Sequence, residues 1–206
     1  LGHSSTATAS RTLKKLCAEQ LVKKVHITEE HINVTLFGIS KEGVGQLSCS
    51  VDEQRHFIPS RVSFRNLHHT LANQRAGTVV VNFLKNSNVE DIKVINTEFG
   101  NLKKYNHIVK FNHRPDLLIV GYFNGKPTLF VIETELSLKD SKRYRKIWFE
   151  YMKLKQKGLI KVVWYFMKNE SAVEKIEKIK NSLNFNSENK KLLDEVIVPI
   201  DITKKI

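Results

Sequence analysis

Two short apolar runs joined by an asparagine-glycine pair constrain this chain more than any other feature. Residues 117–120 and 129–132 are unbroken aliphatic and aromatic stretches, and Asn124 with Gly125 between them supplies a two-residue hairpin turn. The hairpin sets acidic residues at one end: Asp116 before the first strand, Glu133 and Glu135 at the end of the second. Side chains alternate along a strand, so residues 133 and 135 share a face. Two or three carboxylates can therefore converge on a hard cation, with Lys139 close behind at the start of a predicted helix.

At 206 residues the chain can bury one sizeable core or two modest ones. No apolar run approaches the roughly 20 residues needed to cross a bilayer, and the first residues are small and polar, so a cytoplasmic protein is expected. The two cysteines, Cys17 and Cys49, sit in apolar patterns and are expected as buried free thiols. A formal net charge of +13 points to a polyanionic partner. The charge is also local: residues 139–168 hold ten Lys or Arg against two acidic residues, directly after the carboxylate cluster. Carboxylates beside a basic rim suit a phosphodiester substrate.

Upstream, SSTATASRTLKKLCAEQLVKK predicts a helix capped near Ser4 to Thr6, with Ala9, Leu13, Leu16 and Cys17 at helical spacing and Arg11, Lys14 and Lys15 on the exposed side. Ser5, Thr6 and Thr8 at the start of such a basic helix suit phosphates or base edges in a major groove. Residues 25–27 and 32–39 predict a two-stranded ribbon, and SKEGVGQL a short closing helix or turn. Polarity rises over 51–60 and Pro59 interrupts any helix, so the chain is expected to divide into 1–55 and 56–206.

The second part opens with a helix over 61–84 carrying His68 and His69, adjacent residues of which only one can face a site. A strand or helix end over 89–97 leads to Glu98, and an extended stretch begins at 107–111. After the hairpin come a basic amphipathic helix over 141–157, a buried strand over 160–167, a helix over 171–183 and a strand over 195–200. This order predicts a mixed α/β sheet covered by helices. No glycine-rich phosphate loop of the nucleotide-binding kind occurs.

Pro115-Asp116, sixteen intervening residues, then Glu133-Thr134-Glu135 resemble the core of the PD-(D/E)XK nuclease superfamily, with Glu135 where that superfamily usually has lysine. Asp116, then Glu-x-Glu, then Lys139 resembles the MOBC relaxases and the broader replication-relaxation proteins, in which a winged helix precedes a nuclease-like domain. The resemblance spans both halves. SRTLKKL with FGISKEG resembles the second half of a winged helix-turn-helix, with Gly2 and His3 in the preceding turn and the earlier helices absent from this sequence. HRPDLLIVG through ETELSLKDSKRY resembles the nuclease core, and His68 or His69 is similar to a histidine in the linking helix of that family. The fold implied is a partial winged helix-turn-helix followed by a restriction-endonuclease-like mixed-sheet domain.

In chemical terms, Asp116 and Glu133 are expected to ligate Mg²⁺ or Mn²⁺, with Glu135 completing the shell or orienting the attacking water. Lys139 is the residue suited to charge on the phosphorane oxygens. Glu98 is either a further acidic ligand or an exposed cap, and Arg114, Lys142, Arg143 and Arg145 are expected to hold flanking phosphates. Nothing in the spacing of Tyr144 and Tyr151 demands a tyrosine nucleophile, so attack by water is expected. The resemblance implies a site- and strand-specific nick in double-stranded plasmid DNA at an origin of transfer, a single-stranded product, and relaxosome or coupling proteins as partners. Glu135 in the lysine position leaves a second reading open: a non-catalytic origin-binding protein on a nuclease-like scaffold. The plainest reading makes ETE a strand end with salt-bridge partners.

Overall fold

A computed structural model describes residues 6–29, 32–47, 56–62, 64–97 and 109–203. Ser4, Ser5, Gly2, His3, Cys49, Glu98 and the first two residues of the stretch expected at 107–111 lie outside the described residues. The chain forms two compact units, Leu1–Arg65 and Asn66–Ile206. The division falls later than the expected 55/56 because Phe57 continues the first unit: its amide donates to the Ile39 carbonyl at 2.7 Å.

The first unit contains α1 (Thr6–Ala18), β1 (Val22–Glu29), β2 (Ile32–Ile39) and α2 (Lys41–Gly45). β1 and β2 pair antiparallel from Val22 opposite Ile39 to Glu29 opposite Ile32, a longer ribbon than 25–27 alone suggested. Ser40 caps α2, accepting from the Gly43 amide at 2.9 Å while its hydroxyl donates to the Gln20 carbonyl at 2.6 Å. No residue of α1 is buried. Ala9, Leu13 and Cys17 instead line an open apolar cleft of about 470 Å³ against Phe37 and Thr35 of β2. Cys17 is a free thiol but half-buried, which corrects the expectation of full burial.

The second unit takes most of α3 (Phe64–Asn86), then β3 (Val89–Asn96), β4 (Leu117–Phe123), β5 (Lys126–Glu135), α4 (Ser141–Gln156), β6 (Val163–Met167), α5 (Glu170–Ser182), α6 (Ser187–Val196) and β7 (Ile197–Asp201). The five strands form one mixed sheet in sequential order. β3, β4 and β5 are antiparallel neighbours, whereas β5, β6 and β7 run parallel. Parallel neighbours require crossovers, which α4 and the α5–α6 pair supply. α6 departs from the expected order, and the last strand begins at Ile197 because residues through Val196 are helical.

Strand alternation divides the core into two layers. Leu129 and Val131 of β5 join Tyr144, Trp148, Tyr151, Ile176 and Leu193 on the face covered by α4, α5 and α6. Phe130 and Ile132 join Ala76, Val80, Leu84 and Phe166 on the face covered by α3. The hairpin turn is tight: Phe123 pairs with Lys126, and Asn124 and Gly125 have φ of 51° and 70°, the positive values a primed two-residue turn demands. Among the described residues, no helix is long and apolar enough to cross a membrane.

Candidate active site

β5 outruns its antiparallel neighbour, and the site forms at that overhang. The last β4–β5 pair is Leu117 with Ile132, so Asp116 stands opposite Glu133 just beyond the ladder, while Glu133, Thr134 and Glu135 still pair with β6 on the other side. The Thr134 amide thus lacks a strand partner on the β4 side. The Asp116 carboxylate takes its place, accepting that N–H at 2.7 Å through Oδ2. Thr97 anchors the approach: its hydroxyl donates to the Pro115 carbonyl and its amide to the Asp116 carbonyl at 3.2 Å.

Glu133 and Glu135 point to the α4 face and are 7% and 6% exposed. Glu133 accepts from the Tyr151 hydroxyl and lies 3.0 Å from His113 Nε2, both through Oε1. Burial raises the Glu133 pKa above the ordinary carboxylate range, opposed by the His113 hydrogen bond, while nearby Asp116 raises it further. The same hydrogen bond raises His113. Glu150 of α4 fixes the segment that carries His113, accepting from the Asn112 and His113 amides.

Lys139 folds back, and its ammonium pairs with Glu135. Its backbone amide donates to the Tyr144 hydroxyl at 3.1 Å, which pins the segment between β5 and α4. Tyr144 and Tyr151 are fully buried, and burial raises both hydroxyl pKa values. Tyr151 thus has its hydroxyl buried and donated to Glu133.

The two histidines of α3 separate as their adjacency requires. His68 is exposed. His69 reaches the site, its Nε2 donating to the Thr134 carbonyl at 3.2 Å and lying 3.4 Å from Asp116 Oδ2. The Asn73 amide nitrogen lies 3.3 Å from Nδ1, an arrangement satisfied when the neutral ring carries its proton on Nε2.

Of the residues expected from sequence, Asp116, Glu133, Glu135, Lys139, His69, Tyr144 and Tyr151 meet at this overhang. Their connections differ from the expectation in one respect. Glu135 is engaged by Lys139 and Glu133 by His113 and Tyr151, and among the described residues no group of three or more His, Cys, Asp or Glu side chains is arranged to hold a metal ion. The expected shell of Asp116, Glu133 and Glu135 together is therefore not formed. His113 and Glu150 are the site residues that sequence reasoning missed; the only local signal was a histidine three positions before Asp116.

The basic residues expected to hold DNA are exposed: Arg114 beside the site, and Lys142, Arg143 and Arg145 on the first turns of α4. In the first unit Thr6, Thr8, Arg11, Lys14 and Lys15 are exposed along α1, Lys15 lying 3.9 Å from Glu19. No family model, curated protein or solved structure matches this chain.

Proposed function

We propose that the protein is a metal-dependent, site- and strand-specific DNA endonuclease of the relaxase type, nicking one strand at a plasmid origin of transfer to begin mobilisation. The observation that carries this reading is Glu133: an acid buried beside Asp116, raised by desolvation and held by His113 and Tyr151. Burying an ionisable group without a full countercharge is costly, and such groups concentrate where chemistry is done. The surroundings fit phosphodiester chemistry, since α4 carries six basic residues against one acidic residue.

Asp116 and Glu133 are hard oxygen donors on adjoining strand positions, which suits Mg²⁺ or Mn²⁺. Mg²⁺ in particular is commonly held by only one or two carboxylates together with water and substrate phosphate. When bound, such a cation would offset the charge of both carboxylates and of a phosphate in attack. The chain's own groups do the rest. The ammonium of Lys139, with three hydrogens and one carboxylate oxygen of Glu135 as partner, is the donor beside the carboxylates suited to phosphate oxygens, while His69 holds the Thr134 carbonyl at the other edge. His113 and Tyr151 hold Glu133 in one rotamer, and Tyr151, buried and hydrogen-bonded, leaves water as the nucleophile.

Supercoiled plasmid bearing the cognate origin tests the proposal. Conversion to open circle with Mg²⁺ or Mn²⁺, abolished in Asp116→Ala and Glu133→Ala while DNA binding persists, is expected. Binding with no nicking would support the second reading, a non-catalytic origin-binding protein, which rests on Glu135 standing where the resembled superfamily has lysine.

A further inference from the structure

The buried side of α4 is fully accounted for by the core and by Glu133, but its outer side is not. Lys142, Lys146, Phe149 and Lys153 occupy i, i+4, i+7 and i+11 and therefore form one stripe along the helix. All four are exposed, and Phe149, at 45%, is among the most exposed large apolar residues described. A phenyl ring this open gains little from burial. The Lys153 ammonium lies 4.4 Å from its centroid, so positive charge sits directly beside an aromatic surface. The one acidic residue of the helix, Glu150, turns its carboxylate to the Asn112 and His113 amides, and the stripe's three lysines outnumber it.

We propose that this stripe is a binding platform for single-stranded DNA, with Phe149 stacking one unpaired base and Lys146 and Lys153 holding the phosphates on either side. The combination of an aromatic face and a basic track is what an unpaired strand requires, since every base presents a π-face and its backbone presents charge. A duplex would use the lysines but not the ring, because its bases already stack on one another. A membrane surface fits poorly: a helix lying on lipid needs a broad apolar face, whereas the apolar face of α4 is buried in the core and Phe149 stands alone outside. Glu150 links the helix to the segment just before Asp116, so a strand on the platform runs along the flank of the candidate active site. The choice of DNA rests on the nuclease reading; the stacking geometry does not.

The test is binding of a fluorescent single-stranded DNA of about 20 nucleotides, long enough for one platform and its flanks, without divalent cation. Phe149→Ala is expected to weaken it by about 5- to 150-fold, the range that loss of one base–aromatic stack produces, while duplex binding changes little. Phe149→Trp is expected to retain affinity and to lose tryptophan fluorescence on addition of the strand. Trp148 and Trp164 provide a steady background, being 0% and 9% exposed. Lys153→Ala is expected to lower the salt slope by about 0.7, the contribution of one phosphate on a single strand. Equal losses for single strand and duplex in Phe149→Ala, or no quenching in Phe149→Trp, would overturn the platform. Tighter binding of RNA of the same sequence, or of anionic vesicles, would reassign it. Quenching in Phe149→Trp combined with a wild-type protein that never nicks plasmid would leave the platform standing and remove the nuclease.

Discussion

Replacing Tyr151 by phenylalanine separates two roles that a buried tyrosine beside a carboxylate can have. The hydroxyl donates to Glu133 Oε1, and both side chains are shielded from water. A hydrogen bond to a charged acceptor contributes about 1.5 to 3 kcal/mol, but His113 remains 3.0 Å from the same oxygen, so the acid is not stranded. The ring keeps its packing, which leaves an expected cost near the lower bound, about 1 to 2 kcal/mol. With a urea dependence of about 2 kcal/mol per molar, the unfolding midpoint should fall by about 0.5 to 1 M. Trp148 and Trp164 both lie in the second unit and report that transition by fluorescence. Nicking should persist at a reduced rate because Glu133 is less firmly oriented, and no denaturant-resistant protein–DNA adduct should form in either protein. Complete loss of nicking with undiminished stability, together with an adduct in the wild type only, would make Tyr151 the nucleophile and refute this reasoning.

Three further outcomes follow from the same geometry. Lys139→Met should destabilise the second unit by about 2 to 4 kcal/mol by leaving Glu135 buried without its countercharge and with the Tyr144 hydroxyl beside it, and adding Glu135→Gln should recover much of that; strictly additive losses in the double-mutant cycle would show the pair to be uncoupled. Glu150→Ala should slow nicking by about 10- to 100-fold by releasing the Asn112–His113 segment, with plasmid affinity unchanged, so a parallel fall in affinity would point to a different role. Gly125→Ala should cost about 1 kcal/mol in urea unfolding from backbone strain alone, since φ is 70° and an added Cβ meets nothing within 4 Å.

The sequence made local order legible wherever one residue type dominates a short window. The hairpin, the helices around Val80, Trp148 and Ile176, and the strand through Trp164 follow from apolar periodicity and from Asn124-Gly125. α6 escaped because it is short and half polar, with Leu193 and Val196 its only buried side chains and its clearest marker the Asn186 cap. The acidic pair and Lys139 were visible because strand alternation and a four-residue spacing bring them together locally. The His113–Glu133 and Glu150–His113 contacts were not, because each is closed by tertiary packing across twenty or more positions. Likewise, a burial pattern can mark α4 as amphipathic, but which carboxylate oxygen meets which hydroxyl depends on how the helix lies on the sheet.

The two-residue turn acts as a ruler for the carboxylate pair at the far end of its strands. With Phe123 opposite Lys126, the ladder counts down to Leu117 opposite Ile132, and the next step brings Asp116 level with Glu133. One residue more or less between Gly125 and Glu133 would send both glutamates to the α3 face and turn Thr134 toward α4. Paired insertions in the two strands would preserve the facing but lengthen the arm. A change within the strand is therefore felt at the candidate site, whereas a residue added at the turn can be taken up there as a bulge, since the tip itself touches none of the site's groups.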